Sequence, residues 1–364
     1  MKRLTGISTL IICAACLVFS LEAKAQSGGK GTYCFLNNTG SASVAALGGK
    51  NISVYGADLN FAESNPSLLN PQADNHLSIN YTSFPGKINF GNFIYAKDFN
   101  TCGTFAVGTR YLNYGTFTAT DETGKITGSF TAADYVTSLS WAKVFLEKIS
   151  VGASLKTLFS HYERYTSIGA VLDLGITYIS EKDFTASIVL KNLGSQIKPY
   201  YPGHYEPVAW EIQAGISKKL QHAPFRIHLT AHKLNNWNLL YTVPKEKHNL
   251  DPENKASDAS QNFGNKFLRF LDNSSRHLIV GVDFFLLKSF YIAGGYNHQR
   301  RMELKIAEKG GFAGFSVGAG LTLQRFGIHF AHSGYHLAGS ANYISFYLNI
   351  NNLRTKKTVE TKKI

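Results

Sequence analysis

From His76 onward, apolar residues recur at every second position, and this period constrains the fold more than any other feature of the chain. Ile149, Val151, Ala153 and Leu155 alternate with Ser150, Gly152, Ser154 and Lys156. The same split separates Val208, Trp210, Ile212, Ala214 and Ile216 from Glu211, Gln213, Gly215 and Ser217. It returns in Phe315 to Gln324 and in the last stripe of Ile344, Phe346, Leu348 and Ile350. A period of two puts one set of side chains on each face of a β-strand. In a soluble sandwich the apolar set turns inward and the other face carries many Lys and Glu. Here the second face holds Ser, Gly and Thr with occasional charges such as Asp173, Glu211 and Asp283, which suits the lumen of a membrane barrel. Charged residues make up 17% of the chain, against about 25% in soluble domains, while Tyr numbers 19 and Phe 25. The expectation is an all-β, antiparallel, transmembrane barrel of the outer-membrane type.

The N-terminus agrees with export. Lys2 and Arg3 precede the apolar run Ile7 to Leu21, and Ala23-Lys24-Ala25 is a small-x-small cleavage pattern, so residues 1–25 read as a signal peptide. That run is shorter than the roughly 20 residues a spanning helix needs. Cys16 follows Cys13-Ala14-Ala15, which lacks the Leu of a lipoprotein signal. Cleavage leaves Cys34 and Cys102, too few for a disulfide scaffold or a zinc site. They form either one disulfide or two separate thiols.

Strands are expected at 77–84, 88–98, 103–118, 129–145, 149–162, 165–179, 184–193, 207–220, 225–236, 277–287, 290–301, 312–324, 326–336 and 341–350, fourteen in all. Short links at 100–102, 146–148, 180–183, 221–224, 288–289 and 325 share one parity. The longer links 194–206, 238–276 and 302–311 share the other. Outer-membrane barrels keep short turns on the periplasmic side and longer loops outside, which places both termini in the periplasm. Residues 26–76 do not alternate and read as an N-terminal hatch or plug. The barrel then occupies 77–350, and 351–364 is a basic tail.

No motif points to catalysis, a cofactor or a metal. On a strand, His332 faces away from His329, while His228 and His232 share a polar face with Arg226 and Thr230. Ser160-His161 and Ser333 lack a Gly-x-Ser-x-Gly elbow. The formal charge of +13 is scattered without a nucleic-acid-binding motif, so lipopolysaccharide or an acidic protein is the expected counterpart and nucleic acid is not.

Several longer stretches carry a family resemblance: 28–53 (GGKGTYCFLNNTGSASVAALGGKNIS), 64–81 (SNPSLLNPQADNHLSINY), FTAADY at 130–135, KNLGSQIKPYYPGHYEP at 191–207, KKLQHAPFRIHLTAHKLNNW at 218–237 and GYNHQRRMELK at 295–305. In order and over nearly the whole mature chain, these resemble the PorQ family of type IX secretion barrels of Bacteroidetes. More distantly they resemble the PorV and FadL barrels, which have fourteen strands and an N-terminal hatch. The chain departs from the usual pattern in its last strand, where Ile350 and a basic tail replace a terminal aromatic. The resemblance implies a non-enzymatic role in an attachment complex with PorV, the sortase-like PorU and the surface protein PorZ, which joins cargo to anionic lipopolysaccharide. It also implies that the barrel anchors PorZ.

For the anchoring surface, the residues point to the loop 194–206 with Tyr200, Tyr201, His204 and Tyr205, and to 238–276 with Phe263, Phe267 and Phe270 at helical spacing. Membrane-girdle tyrosines are the other reading of the first group. A FadL-like channel for hydrophobic molecules is the alternative function. It requires an apolar pocket in the lumen and a gap in the wall, and a filled, polar lumen counts against it.

Overall fold

The computed structural model describes residues 31–240, 263–304, 311–336 and 339–354. The expected signal peptide, most of the link 238–276 and most of the basic tail lie outside the described residues.

Fourteen strands close into one antiparallel barrel, each pairing with its neighbours in sequence and β1 pairing with β14. They are β1 His76–Phe84, β2 Ile88–Asp98, β3 Thr104–Thr120, β4 Ile126–Phe145, β5 Ile149–Tyr162, β6 Tyr165–Ser180, β7 Phe184–Lys198, β8 Glu211–Lys219, β9 Phe225–Ala231, β10 Leu278–Phe285, β11 Phe290–Asn297, β12 Phe315–Thr322, β13 Phe326–His336 and β14 Gly339–Asn349. Among the described residues no helix is long and apolar enough to cross a membrane. Crossing falls to the strands, and closure leaves no unpaired edge in the lipid.

The register shows why alternation was so strict. Val107, Leu139, Leu155 and Leu172 lie side by side across β3 to β6 on the outer face. One position along, Ala106, Ser140, Ser154 and Asp173 form the matching row inside, where all four are buried. A slip of one residue between any two strands would exchange these rows, so the apolar belt itself fixes the register.

The strands are unequal. β4 has 20 residues and β3 has 17, whereas β9 has 7 and β10, β11 and β12 have 8 each. The links at 99–103, 146–148, 181–183, 220–224, 286–289 and 323–325 lie at the rim that also carries both chain ends of the barrel, and the remaining links lie at the opposite rim. The β3–β4 hairpin projects from that opposite rim.

Some expected boundaries need correction. β7 runs on to Lys198, pairing with Ile168, so the link expected at 194–206 begins only at Pro199. β8 begins at Glu211 instead of 207, where Pro207 has no N–H for the ladder. β9 ends at Ala231, not 236, because Lys233 takes φ 54° and its carbonyl accepts from Asn236 N–H in a turn. β11 ends at Asn297, not 301. There the Asn297 side chain accepts the Arg300 N–H at 3.0 Å and caps a helix.

Residues 31–75 lie inside the barrel. They form α1 Ala42–Ala46, α2 Leu59–Ser64 and short 3₁₀ turns. Ser41, Asp58, Asn65 and Asn70 cap these pieces with their side chains, and Pro66 and Pro71 each occupy the first position after an Asn cap. Three more helices lie at the rims: α3 Phe263–Arg276, α4 His298–Leu304 and α5 Ile350–Arg354. Val44, Ala45 and Leu47 pack on Ala293, Ala331, Ala341 and Tyr343, while Tyr33, Phe35 and Leu36 pack on Phe90, Leu112, Val136 and Leu158.

The inward glycines of the strands let this segment approach the wall. A Cβ on Gly152 would come within 2.5 Å of the Pro66 carbonyl carbon, and one on Gly295 within 2.2 Å of the Gly48 nitrogen. Both are backbone atoms that cannot swing aside.

Candidate functional site

The lumen is filled, and a polar network runs between the apolar clusters that pack the inner segment on the wall. Hydrogen bonds tie residues 31–75 to strands all round the barrel: Tyr33 Oη to Ser167 Oγ at 2.5 Å, Ser43 Oγ to His329 Nδ1 at 2.6 Å, and Ser53 Oγ to Ser217 Oγ at 2.6 Å. The Asn65 amide donates to the Ile52 carbonyl and to Thr177 Oγ1, and Asn60 Oδ1 accepts from Ser78 and Asn80. Ion pairs add to these contacts. Lys50 reaches Glu211 at 2.7 Å, and Arg110 pairs with Glu63. On the wall, Lys156 meets Asp173 at 2.5 Å and Arg226 meets Asp283 at 2.6 Å. A charge taken from water costs several kcal/mol unless it is paired and hydrogen-bonded, and each of these charges faces an opposite one.

At the rim with the chain ends, Asp74 fastens the seam. Its Oδ1 accepts the Asp98 N–H at 2.9 Å, its Oδ2 accepts from the Asn351 amide at 3.0 Å, and Lys97 lies 3.1 Å away. Partial burial pushes the Asp74 carboxyl up, but the Asp98, Asn351 and Lys97 donors outweigh it and hold the group below its ordinary value.

His329 and His332 point to opposite faces of β13, as a period of two requires. His329 is buried against Ser43, and His332 faces out and meets Asn342 Oδ1 at 2.8 Å. Among the described residues no three His, Cys, Asp or Glu side chains are grouped to hold a metal. Ser160 points inward to Asp134 and Ser333 pairs with Ser316, so Ser160, His161 and Ser333 form no triad. Cys34 and Cys102 are free thiols, the second of the two readings left by the sequence.

At the opposite rim the expected partner residues divide. Tyr200 turns inward and stacks on Tyr162, ring centroids 5.4 Å apart. Burial, reinforced by Asp134, pushes its phenol up to about 12. Tyr201 packs on Tyr165 at 4.8 Å but stays 57% exposed. The His204 N–H closes a turn onto the Tyr201 carbonyl at 3.1 Å, which leaves Tyr205 63% exposed. Phe267 and Phe270 are exposed on α3, with Leu268 and Leu271 beside them. Phe270 lies 6.2 Å from Trp237, itself stacked on His277 at 5.0 Å. The Phe263 side chain lies outside the described residues.

Two rim features were missed in the sequence. One is the β3–β4 hairpin, where Phe117 stacks on Phe130 at 5.2 Å. The expected strands there ended at 118 and began at 129, so this pair fell beside a presumed turn. The other is a cavity of about 630 Å³ at the mouth, between the inner segment, the β7–β8 and β9–β10 links and α4. Its parts are far apart in sequence, and no local pattern could gather them.

No family model matches the sequence, and no curated protein is significantly similar to it. Among solved structures, the toluene transporter TodX of P. putida aligns over 86% of this chain and 99% of its own, with 11% identity and a TM-score of 0.52. The toluene transporter TbuX of Ralstonia pickettii aligns over the same shares, with 11% identity and a TM-score of 0.51. The chain shares the fold of these transporters. At this identity the likeness concerns the closed barrel alone.

Proposed function

We propose that the protein is a non-enzymatic outer-membrane barrel that holds a PorZ-like surface protein within a type IX secretion attachment complex. PorU- and PorV-like proteins are its neighbours there, and cargo is joined to anionic lipopolysaccharide. The observation that carries this reading is the filled lumen: residues 31–75 are bonded to the wall on all sides, while exposed aromatics gather at one rim. A barrel so occupied is suited to be a fixed scaffold. Its partner-facing side is then the rim with Tyr201, His204, Tyr205, Phe267 and Phe270, pointing out of the cell. The rim with the chain ends faces the periplasm, and residues 31–75 are the hatch. The secretion role itself rests on the sequence resemblance.

The second reading is passage of small hydrophobic molecules. The fold shared with TodX and TbuX favours it, and the comparisons lend it more support than they lend a secretion role. Against it stand the continuous strand ladder and the inner segment that fills the lumen.

The test is recovery of the tagged barrel from native outer membranes in mild detergent, with identification of what remains bound. A large surface protein lost on replacing Tyr201 and Tyr205 supports anchoring. A barrel recovered alone with an apolar molecule inside supports transport.

A further inference from the structure

The wall of the mouth cavity holds three buried side-chain nitrogens without a hydrogen-bond partner among the described residues, two on His232 and one on Arg300. His232 is 1% exposed and lines the cavity, yet neither ring nitrogen makes a hydrogen bond among the described residues. Its Nδ1 lies 3.6 Å from Glu211 Oε1, too far for one. Arg300, on α4, also lines the cavity. Its guanidinium carbon lies over the Tyr335 ring, 4.3 Å from the centroid, and its buried Nη1 has no acceptor among the described residues. Gly49 makes room for that group, since a Cβ there would come within 2.6 Å of Nη2. Buried donors without acceptors are costly, about 1–3 kcal/mol each, so two in one cavity wall mark a place where an acceptor belongs.

Charge defines the acceptor. Three cations, Lys50, Lys233 and Arg300, line the cavity against two carboxylates, Glu211 and Glu303. Lys50 is taken by Glu211, and the Gln299 amide already donates to Glu303 at 2.6 Å. Lys233 has no ion pair among the described residues, and its backbone N–H is fixed on Glu211 Oε1 at 3.1 Å. One positive charge is left over, which one negative charge would meet.

We infer that this mouth cavity is a binding site for a single carboxylate on a polar ligand, with Arg300 and Lys233 meeting the anion and His232 donating a further hydrogen bond. The volume of about 630 Å³ admits more than the anion alone, and the side-chain amides of Asn38 and Asn236 line the space left for the rest. An acidic sugar and the free C-terminus of a peptide share this chemistry. The inference stands apart from both functional readings, since a scaffold and a channel could each carry such a site.

The test is calorimetric titration of the full-length barrel in detergent with sodium glucuronate and with N-acetyl-trialanine, using glucose and the amide-capped peptide as neutral controls. At least one carboxylate binds, its neutral counterpart does not, and Arg300→Gln and Lys233→Gln each weaken binding about tenfold. Binding of glucuronate alone identifies a sugar as the source, and binding of the peptide alone identifies a protein. Absence of binding by both carboxylates overturns the site, as does equal binding of a neutral control or binding unchanged in a folded variant. Lys233→Gln, at a half-buried position, remains informative should Arg300→Gln fail to fold.

Discussion

Lys50 Nζ lies 2.7 Å from Glu211 Oε1 and 2.8 Å from Oε2, so one ammonium from the inner segment grips both oxygens of a carboxylate on β8. Both side chains are largely buried. Removing one partner leaves the other charge stranded. Lys50→Met is therefore expected to loosen the inner segment by about 3–5 kcal/mol, with the double variant Lys50→Met/Glu211→Met recovering part of the loss. Protease protection of residues 31–75 in the folded barrel reads this out. Equal protection in the single variant and the parent would show that the pair contributes nothing.

Close approach of the inner segment to the wall makes two neighbouring glycines unequal. Gly295→Ala drives a Cβ into the backbone of Leu47 and Gly48, whereas Gly294→Ala meets nothing within 4 Å. The first should cost about 1–3 kcal/mol and the second close to nothing. The heat-induced mobility shift of the folded barrel in gels compares them, and equal midpoints would contradict the fit described here.

The seam at Asp74 should respond to acid. Its carboxyl is held below the ordinary value in the folded state, so the folded protein binds that proton less readily than the unfolded chain does. The stabilisation is present above the ordinary carboxylate range and is lost as the pH falls through the lowered value. Asp74→Asn should flatten this part of the acid-unfolding profile. An unchanged profile would remove Asp74 from the seam.

Much of the barrel was legible because a membrane wall writes one face of every strand into the sequence. Val107, Leu139 and Leu155 had to face lipid and Ser140 and Ser154 the lumen, so period and register followed together. Strand ends were harder to read where a turn depended on one backbone angle, as at Lys233, or on one cap, as at Asn297. The inner segment was visible only as a stretch without alternation. Its tethers, such as Ser43 to His329, join residues 286 positions apart, and no local pattern reports such a pair. The mouth cavity was hidden for the same reason. Tyr200 shows the limit within a single loop: composition marked three tyrosines alike, but stacking on Tyr162 turns this one inward and leaves Tyr201 and Tyr205 outside.

If the opposite rim holds a protein partner, Tyr201→Ala with Tyr205→Ala should reduce its retention about tenfold or more without shifting the unfolding midpoint, because both rings are exposed. Phe267→Ala with Phe270→Ala tests α3 in the same assay. Full retention in both double variants would move the contact elsewhere, with the Phe117 and Phe130 hairpin next to be tried.

The filled lumen is the central claim, and locking it is the most direct test. Ser53 and Ser217 place their hydroxyls 2.6 Å apart, so cysteines at both positions, with Cys34 and Cys102 replaced by serine, can bond the inner segment to the wall. The measurement is the amount of surface protein retained by the cross-linked barrel in native outer membranes. A fixed scaffold predicts retention equal to that of the reduced form. Loss of the partner on cross-linking, or an apolar molecule held only by the unlocked barrel, would contradict the account and show that the segment must move for the protein to work.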